Sequence, residues 1–267
     1  MKGGTLVVIP ARYASSRYPG KPLVPLRGAG GAARTLIERS WRAARAVRGV
    51  DRVVVATDDD RIAAEVARFG GETVMTSPEA ANGTERCAEA LDVMGAAPDV
   101  VVNLQGDAPL TPPWFVEALI AALRQGVADV ATPVLRCSGA AHRAFLEDRA
   151  AGRVGGTTAV FDRAGRALYF SKEVIPHTGR LYGDDEPTPV FHHVGVYAYT
   201  PAALARYRTL PPGPLERLEG LEQLRFLENG MTVRCVEVEA RGREFWELNN
   251  PEDVPRIEAV LARQNMP

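Results

Sequence analysis

Short apolar runs alternate with segments of helical periodicity over the first half of this chain, and this alternation constrains its fold most. The runs LVVI at 6–9, VVVA at 53–56 and VVVNL at 100–104 are too short for helices and have no polar face. Helical patterns separate them, at 35–47, 60–69 and 85–94. Strands that are buried on both faces and joined through helices form parallel sheets. We therefore expect an α/β fold with a doubly wound, mostly parallel sheet.

The second half of the chain has a different pattern. Its expected strands alternate more, a hairpin turn is indicated at Asp162–Gly165, and 179–189 is a polar loop segment. A charged amphipathic helix is predicted over 216–229. We interpret the chain as a single domain over 1–267 that carries a mixed, partly antiparallel insertion at roughly 136–215.

Composition excludes several classes of protein. The net charge is −1 and there is no long basic run, which argues against a nucleic-acid partner. The apolar run TLVVI ends at Pro10 and is too short for a signal sequence or a membrane span. Three scattered cysteines show no metal-binding spacing. We expect a cytoplasmic protein with reduced thiols and no membrane partner.

A basic loop follows the first expected strand. Arg12, Arg17 and Lys21 are separated by small residues such as Ser15 and Gly20. Ligands of open α/β sheets bind beyond the carboxyl ends of the strands, where three cations suit an oxyanion such as a triphosphate. The spacing is not that of a P-loop, and a solvated basic loop would have the same composition.

Two further segments lie at expected strand ends or helix starts. NLQGDAPL at 103–110 delivers Asp107 to the sheet edge, where a carboxylate would either hold Mg²⁺ or cap the turn before Pro109. In NGTER at 82–86, the glycine allows a tight turn, Thr84 is a candidate helix cap, and Arg86 projects from the first turn.

These motifs belong to a longer series that carries a resemblance over nearly the whole chain. The series is IPARYASSRYPGKPL at 9–23, ATDDDRI at 56–62, NGTER, NLQGDAPL, YFSKEVIP at 169–176, HHVGVYAY at 192–199, LEGLEQLRFLENG at 218–230 and NNPEDV at 249–254. In this order the sequence resembles the 3-deoxy-manno-octulosonate (Kdo) cytidylyltransferase family. The resemblance implies a nucleotidyltransferase fold, with the insertion used for homodimerisation. It also implies CTP and a 3-deoxy-2-ulosonic acid as partners, and transfer of CMP to the 2-hydroxyl of Kdo for lipopolysaccharide biosynthesis.

The resemblance also implies roles for individual residues. The catalytic residues would be Arg12, Lys21 and Asp107. The nucleotide would be bound by Pro10, Ala11, Arg12, Arg17, Lys21, Asn82, Gly83, Arg86 and Gln105. The sugar acid would be bound by Lys172, His193, Tyr197, Glu222 and Gln223. Magnesium would be held by Asp107 and Asn249. From the residues alone, His193 is typical of a packed core histidine, and Glu222 and Gln223 are typical of the exposed face of a charged helix.

The chain departs from the family's usual pattern near the metal and the sugar acid. Asn249 stands where the family has aspartate, Ala108 where it has glutamate, and Lys172 where it has arginine. An amide oxygen brings no charge, so Asp253 or Glu247 is a candidate to replace the missing carboxylate. We hypothesise that CTP use is retained. The acid would be Kdo or another ulosonic acid, such as an amino-substituted, heptulosonic or nonulosonic one. A non-catalytic nucleotide-binding paralogue is a further alternative, supported only by the lost carboxylate.

Overall fold

A computed structural model describes residues 3–15, 17–154, 156–244 and 246–267. The chain divides into two compact units. The first comprises Met1–Glu117 with Ala240–Pro267, and the second comprises Ala118–Glu239. The segment 136–215, expected as an insertion, therefore belongs to the second unit.

The first unit contains a parallel sheet. Its strands run in the order β5-β4-β1-β6, and each neighbouring pair is parallel, as expected from their continuous apolar character. The central valines, such as Val8 and Val54, are fully buried and paired in register. The elements are β1 (Thr5–Ala11), β2 (Pro25–Arg27), β3 (Ala33–Thr35), α1 (Leu36–Arg45), β4 (Arg52–Thr57), α2 (Asp60–Arg68), β5 (Glu72–Met75), α3 (Gly83–Met94), β6 (Val100–Leu104) and the start of α4 (Pro113–Arg124).

Two helices of the first unit begin differently from the prediction, since the sequence indicates Thr57 and Asp58 as caps of α2 and Thr84 as the cap of α3. The cap of α2 is Asp59, whose carboxylate accepts from the backbone N–H of Arg61 at 2.9 Å. The cap of α3 is Asn82, whose Oδ1 accepts from the N–H of Glu85 at 2.9 Å, and Thr84 is buried within the helix. In both places several good capping residues are adjacent, and the role is taken by the residue directly before the first residue of the helix, Asp59 or Asn82.

The second unit contains a mixed sheet, as the alternating pattern predicts. Strand β7 pairs antiparallel with β10 and β11 and parallel with β12, while β8 pairs antiparallel with β10 and β9. The elements are β7 (Val130–Ser138), α5 (Gly139–Ala150), β8 (Thr157–Phe161), β9 (Ala167–Ser171), β10 (Pro187–His193), β11 (Val196–Tyr199), α6 (Pro201–Thr209), α7 (Pro214–Glu219), α8 (Leu224–Glu228) and β12 (Val233–Glu237).

The single helix predicted over 216–229 is wrong. Helix α7 ends at Glu219 because Gly220 adopts a left-handed conformation, with φ of +62°, and closes the helix. The chain re-enters a helix only at Leu224, so Glu222 and Gln223 lie in the turn between α7 and α8 and not on an exposed helical face. Gln223 is only 1% exposed.

The last part of the chain belongs to the core of the first unit. Helix α9 (Asp253–Arg263) contributes Ile257, Val260 and Leu261 to a buried cluster that includes Leu248. Leu248 is fully buried, and its backbone N–H donates to the carbonyl oxygen of Asp107 at 2.9 Å. The segment before α9 is thereby fixed beside the end of β6. In the described part of the chain, no helix is long and apolar enough to cross a membrane.

Candidate active site

One cavity of about 210 Å³ lies in the first unit, where loops leave the ends of β1 and β6 and lead into α3. Every residue predicted to bind the nucleotide or to act in catalysis lines it. These are Pro10, Ala11, Arg12, Arg17, Lys21, Asn82, Gly83, Arg86, Gln105 and Asp107. The position agrees with the general rule that open α/β sheets bind ligands beyond the carboxyl ends of their strands.

The basic loop is held in place by Tyr13. The backbone N–H of Gly20 donates to the Tyr13 carbonyl at 2.9 Å, and φ at Gly20 is +72°. A side chain at Gly20 would come within 3.0 Å of the Tyr13 ring, so only glycine allows this approach. On α2, the guanidinium of Arg61 stacks over the same ring, 3.3 Å from its centre. The loop therefore presents Arg12 and Arg17 as exposed cations.

Lys21 and Asp107 form the closest charged contact in the cavity wall. The Lys21 Nζ donates to Asp107 Oδ2 at 2.5 Å and to the carbonyl oxygen of Leu248 at 3.0 Å. The two side chains are 14% and 24% exposed, so the pair faces the cavity while its carbon chains are covered. The contact joins the basic loop, the end of β6 and the segment before α9 at one point.

Hydrogen bonds behind the cavity orient the polar groups that line it. The amide of Gln105 donates to Asn103 Oδ1 at 3.2 Å, and Asn103 is fully buried on β6. The sequence predicts that Arg86 projects from the first turn of α3, but the structure buries it in the cavity wall. It is 3% exposed, donates to Thr76 Oγ1 at 2.6 Å, and lies 3.6 Å from Asp58. Its Nη2 has no hydrogen-bond partner among the described residues.

The segment before α9 brings a further acidic residue within the electrostatic influence of Asp107. Arg17 donates to Asn249 Oδ1 at 2.9 Å, and Glu247, two residues before Asn249, is half-buried. Burial and the charge of Asp107 raise the pKa of Glu247 to about 7, against the lowering effects of Asn249, Lys21 and Arg17. From the sequence, Glu247 is only a possible substitute for the missing carboxylate, because no local pattern links it to Asp107.

Asp253, the other possible substitute, has a different role. Its Oδ2 accepts from the backbone N–H groups of Asn249 and Asn250 at 2.9 and 2.7 Å. Its Oδ1 accepts from the indole of Trp246 at 2.9 Å. These contacts hold the turn that precedes α9. Within the described residues, no group of three or more His, Cys, Asp or Glu side chains is arranged to hold a metal ion.

The residues predicted to bind the sugar acid lie in the second unit, and three of them are neighbours. The Tyr197 hydroxyl donates to Gln223 Oε1 at 3.1 Å, and the rings of His193 and Tyr197 are 5.6 Å apart. His193 Nε2 shares a 2.9 Å hydrogen bond with Thr132 Oγ1. Burial, with a smaller effect of His192, lowers the pKa of His193 to about 3, so its imidazole is neutral at physiological pH. Within the described chain, Gln223 Nε2 has no hydrogen-bond partner.

Of the other two predicted residues, Glu222 lies in the turn between α7 and α8, and Lys172 lies next to this turn. The backbone N–H of Lys172 donates to Glu219 Oε2 at 2.8 Å, and Ser171 Oγ donates to Glu219 Oε1 at 2.6 Å. Lys172 Nζ lies beside Gly220, because a Cβ atom added to this glycine would be 3.0 Å from the ammonium nitrogen. The backbone carbonyl of Glu222 accepts from the Tyr207 hydroxyl at 3.3 Å. Glu219, which the sequence analysis did not single out, thus fixes the backbone that carries Lys172.

Substitution of Gly106 is expected to weaken CTP binding. A methyl group at this position would lie 2.7 Å from the carbonyl oxygen of Pro10, so Gly106→Ala must displace the end of β1 or the start of the Gln105–Asp107 turn. Overpacking of this kind costs about 1–3 kcal/mol, which would correspond to a loss of about 5- to 150-fold in affinity if it falls on the bound state. Calorimetric titration with CTP measures the loss. Gly183→Ala, where the nearest atom would be at 3.8 Å, is the matched control. Equal affinities of the two variants would contradict the prediction.

Comparison with known proteins agrees with this arrangement. A family model described as cytidylyltransferase matches residues 6–233. A 3-deoxy-manno-octulosonate cytidylyltransferase of Maricaulis maris (strain MCS10) is 46% identical over 260 residues, or 97% of both chains. That of Anaeromyxobacter sp. (strain K) is 44% identical over 261 residues, covering 96% of this chain and 97% of the relative. A solved structure described as CMP:2-keto-3-deoxy-manno-octonic acid synthetase complexed with CTP has a TM-score of 0.82 and 32% identity, covering 98% of this chain and 99% of that one. The chain belongs to the 3-deoxy-manno-octulosonate cytidylyltransferase family of nucleotidyltransferases.

Proposed function

We propose that this enzyme transfers CMP from CTP to the 2-hydroxyl of Kdo, releasing pyrophosphate. The observation that carries the proposal is that Arg12, Arg17, Lys21 and Asp107 converge on one cavity at the carboxyl end of a parallel sheet. Three cations and one carboxylate suit a triphosphate and its counter-ion. The full-length similarity to relatives named for this activity supports Kdo as the acceptor.

The reaction exchanges one phosphorus–oxygen bond for another. The 2-hydroxyl oxygen of Kdo bonds to the α-phosphorus of CTP and loses its proton to water. The bond from the α-phosphorus to the bridging oxygen breaks, and that oxygen leaves with pyrophosphate. Such a step needs positioning and neutralisation of negative charge more than a nucleophilic side chain. In the proposal, Arg12 and Lys21 contact the phosphates, and Arg17 adds a third positive charge.

The rest of the cavity would bind the nucleoside. The backbone of Pro10 and Ala11, together with Asn82 and Gly83, would contact the cytosine. Gln105 would contact the ribose, in the orientation that its 3.2 Å hydrogen bond to Asn103 sets. Arg86 is buried in the wall, and among the described residues its Nη2 makes no hydrogen bond, so a ligand oxygen reaching it would complete its hydrogen bonds.

The sugar acid would be bound by the second unit. Lys172 would provide a positive charge for its carboxylate. Its hydroxyls would find hydrogen-bond donors and acceptors in Tyr197, Glu222 and Gln223. The unpaired Gln223 Nε2 is a donor that a hydroxyl oxygen would satisfy. His193 is buried and neutral, so it would act by packing and hydrogen bonding and not as a charge.

Two residues would suit a magnesium ion as cofactor: Asp107, which lines the cavity, and Asn249, which is hydrogen-bonded to the cavity residue Arg17. Asp107 and Asn249 offer hard oxygen ligands, and Mg²⁺ in nucleotide sites takes one or two protein oxygens with phosphate and water. When bound, Mg²⁺ would neutralise phosphate charge and favour deprotonation of the attacking hydroxyl. Asp107 would turn one oxygen to the ion while Lys21 holds the other at 2.5 Å.

We further propose that the protein acts in the cytoplasm as a homodimer, in lipopolysaccharide biosynthesis. In the second unit, Leu168 and Leu218 are 64% and 82% exposed, which suits contact with another copy. Light scattering of the full chain in solution gives the molecular mass that decides between one copy and two.

The proposed reaction is tested by pyrophosphate release from CTP and Mg²⁺ with a panel of acids. The panel contains Kdo, its amino-substituted analogue, a heptulosonic acid and a nonulosonic acid. We expect Kdo to give the highest kcat/KM, because the relatives named for Kdo share 46% and 44% of the sequence. A higher kcat/KM for another acid would show that this acid, and not Kdo, is the preferred acceptor. Release with none of them, despite CTP binding, would contradict the proposal.

A further inference from the structure

We propose that Glu219 is a positioning residue, which holds Lys172 in place to bind the carboxylate of the sugar acid. The inference rests on the proposed function, because it takes Lys172 as a contact of that acid. Glu219 is the last residue of α7 and belongs to the second unit, as Lys172 does. It needs no contact with the substrate, since it acts through its neighbour.

The Glu219 carboxylate holds the end of β9 with both of its oxygens. Ser171 Oγ donates to Oε1 at 2.6 Å, and the backbone N–H of Lys172 donates to Oε2 at 2.8 Å. Ser171 is only 3% exposed, so little water competes for its hydrogen bond. Hydrogen bonds to an ionised carboxylate are stronger than those between neutral groups. The end of β9 is therefore fixed to the end of α7.

The backbone of Lys172 is also held on its other side. Its carbonyl oxygen accepts from Arg149, which also donates to the carbonyl oxygen of Gly156. Both polar groups of the Lys172 backbone are thus engaged. In the described part of the chain, its ammonium group makes no hydrogen bond or ion pair. A cation on a fixed backbone, without a counter-ion in the protein, is available to an anionic ligand.

Glu219 also connects Lys172 to the turn between α7 and α8. Gly220 follows directly, and a Cβ atom added there would be 3.0 Å from Lys172 Nζ. Further along the turn, Gln223 is 1% exposed, and its Nε2 has no hydrogen-bond partner among the described residues. A buried donor without a partner is rare and indicates that a ligand supplies the acceptor. One carboxylate thus connects the strand that carries the ammonium group to the turn that carries this amide.

The test compares the KM values for the two substrates, measured by pyrophosphate release. We expect Glu219→Ala to raise the KM for Kdo by about tenfold and to leave the KM for CTP unchanged, because only a group that binds the acid is displaced. Glu219→Gln keeps one acceptor oxygen, and we expect a rise of about threefold. Glu147→Ala, at an exposed carboxylate of α5, is the control and should change neither value. An unchanged KM for Kdo in both Glu219 variants, or an equal rise for both substrates, would overturn the proposal.

A double-mutant cycle shows whether Glu219 acts through Lys172. Lys172→Met removes the charge and keeps an unbranched side chain. In this background we expect Glu219→Ala to change the KM for Kdo by less than about twofold, because the group that it positions is absent. Additive effects of the two substitutions, with thermal unfolding unchanged, would overturn the proposal.

Failure of the proposed function is distinguishable from failure of this inference. It appears as absent pyrophosphate release from the unchanged enzyme with every acid of the panel. Calorimetric titration with Kdo in the presence of CTP then gives the same comparison of variants without turnover. A chain that neither releases pyrophosphate nor binds Kdo would overturn both proposals.

Discussion

Replacement of Asp107 by asparagine is expected to lower kcat by about a thousandfold, the scale of losing a main electrostatic contact of a transition state. The substitution keeps the shape and removes the charge that holds Lys21 at 2.5 Å and that would bind Mg²⁺. The backbone carbonyl of Asp107, which binds Leu248, is unaffected. The Asp107→Asn variant should therefore still fold, although most of its catalytic activity is lost. Pyrophosphate release under saturating CTP and Kdo measures the effect.

A matched control makes this result interpretable. Asp185 is an exposed carboxylate in the second unit, and Asp185→Asn should retain the kcat of the unchanged enzyme. Calorimetry of CTP binding shows whether Asp107→Asn still forms the nucleotide complex. An Asp107→Asn variant with kcat within about tenfold of the control would contradict a central role for this carboxylate.

Replacement of Glu216 by glutamine is expected to lower the free energy of unfolding by about 3–5 kcal/mol, the usual cost of breaking a buried ion pair. Arg225 forms two parallel hydrogen bonds of 2.7 Å with the Glu216 carboxylate, and the side chains are 3% and 10% exposed. The guanidinium also lies over the ring of Tyr207, 4.1 Å from its centre. Without the Glu216 carboxylate, the buried guanidinium of Arg225 loses the negative charge that it contacts at 2.7 Å. Urea unfolding measures the change.

The exposed pair of Arg136 and Glu237 provides the comparison. It also has two hydrogen bonds, but its side chains are 43% and 47% exposed. Glu237→Gln should cost only about 0–1 kcal/mol, because water replaces the lost contact. Similar losses for the two variants would show that burial does not determine the cost. Because the Glu216–Arg225 pair joins α7 to α8, its loss should also raise the KM for Kdo more than that for CTP.

The nucleotide side of the site was predictable from the sequence because its residues are fixed locally. Arg12, Lys21 and Asp107 follow buried strands within short motifs, and the ends of parallel strands meet at one edge of the sheet. The same holds for the parallel sheet, since VVVA and VVVNL allow few other structures. The assignment of individual roles stays a prediction that the proposed variants test.

Other features depend on contacts that no local pattern contains. The break between α7 and α8 rests on the left-handed conformation of Gly220, and a single glycine in a helical pattern is usually tolerated. The predicted caps of α2 and α3 are wrong because several adjacent residues in each place are equally good capping residues. Glu247 approaches Asp107 only because Leu248 packs in a core formed by distant segments. Contacts in the folded chain determine these features, and the periodicity of apolar residues in the sequence carries no information about such contacts.

The hydrogen bond from Lys21 to Leu248 has a consequence for the synthesis of the protein. Its partners are 227 positions apart, and contacts between such distant segments form only when both are present. On the ribosome, the parallel strands emerge early, but the cavity wall is incomplete until the segment around Leu248 has left the exit tunnel. A nascent chain thus carries an unfinished nucleotide site while the residues between Lys21 and Leu248 are synthesised. The enzyme becomes competent only after the second unit, which lies between these two segments in the sequence, has been synthesised.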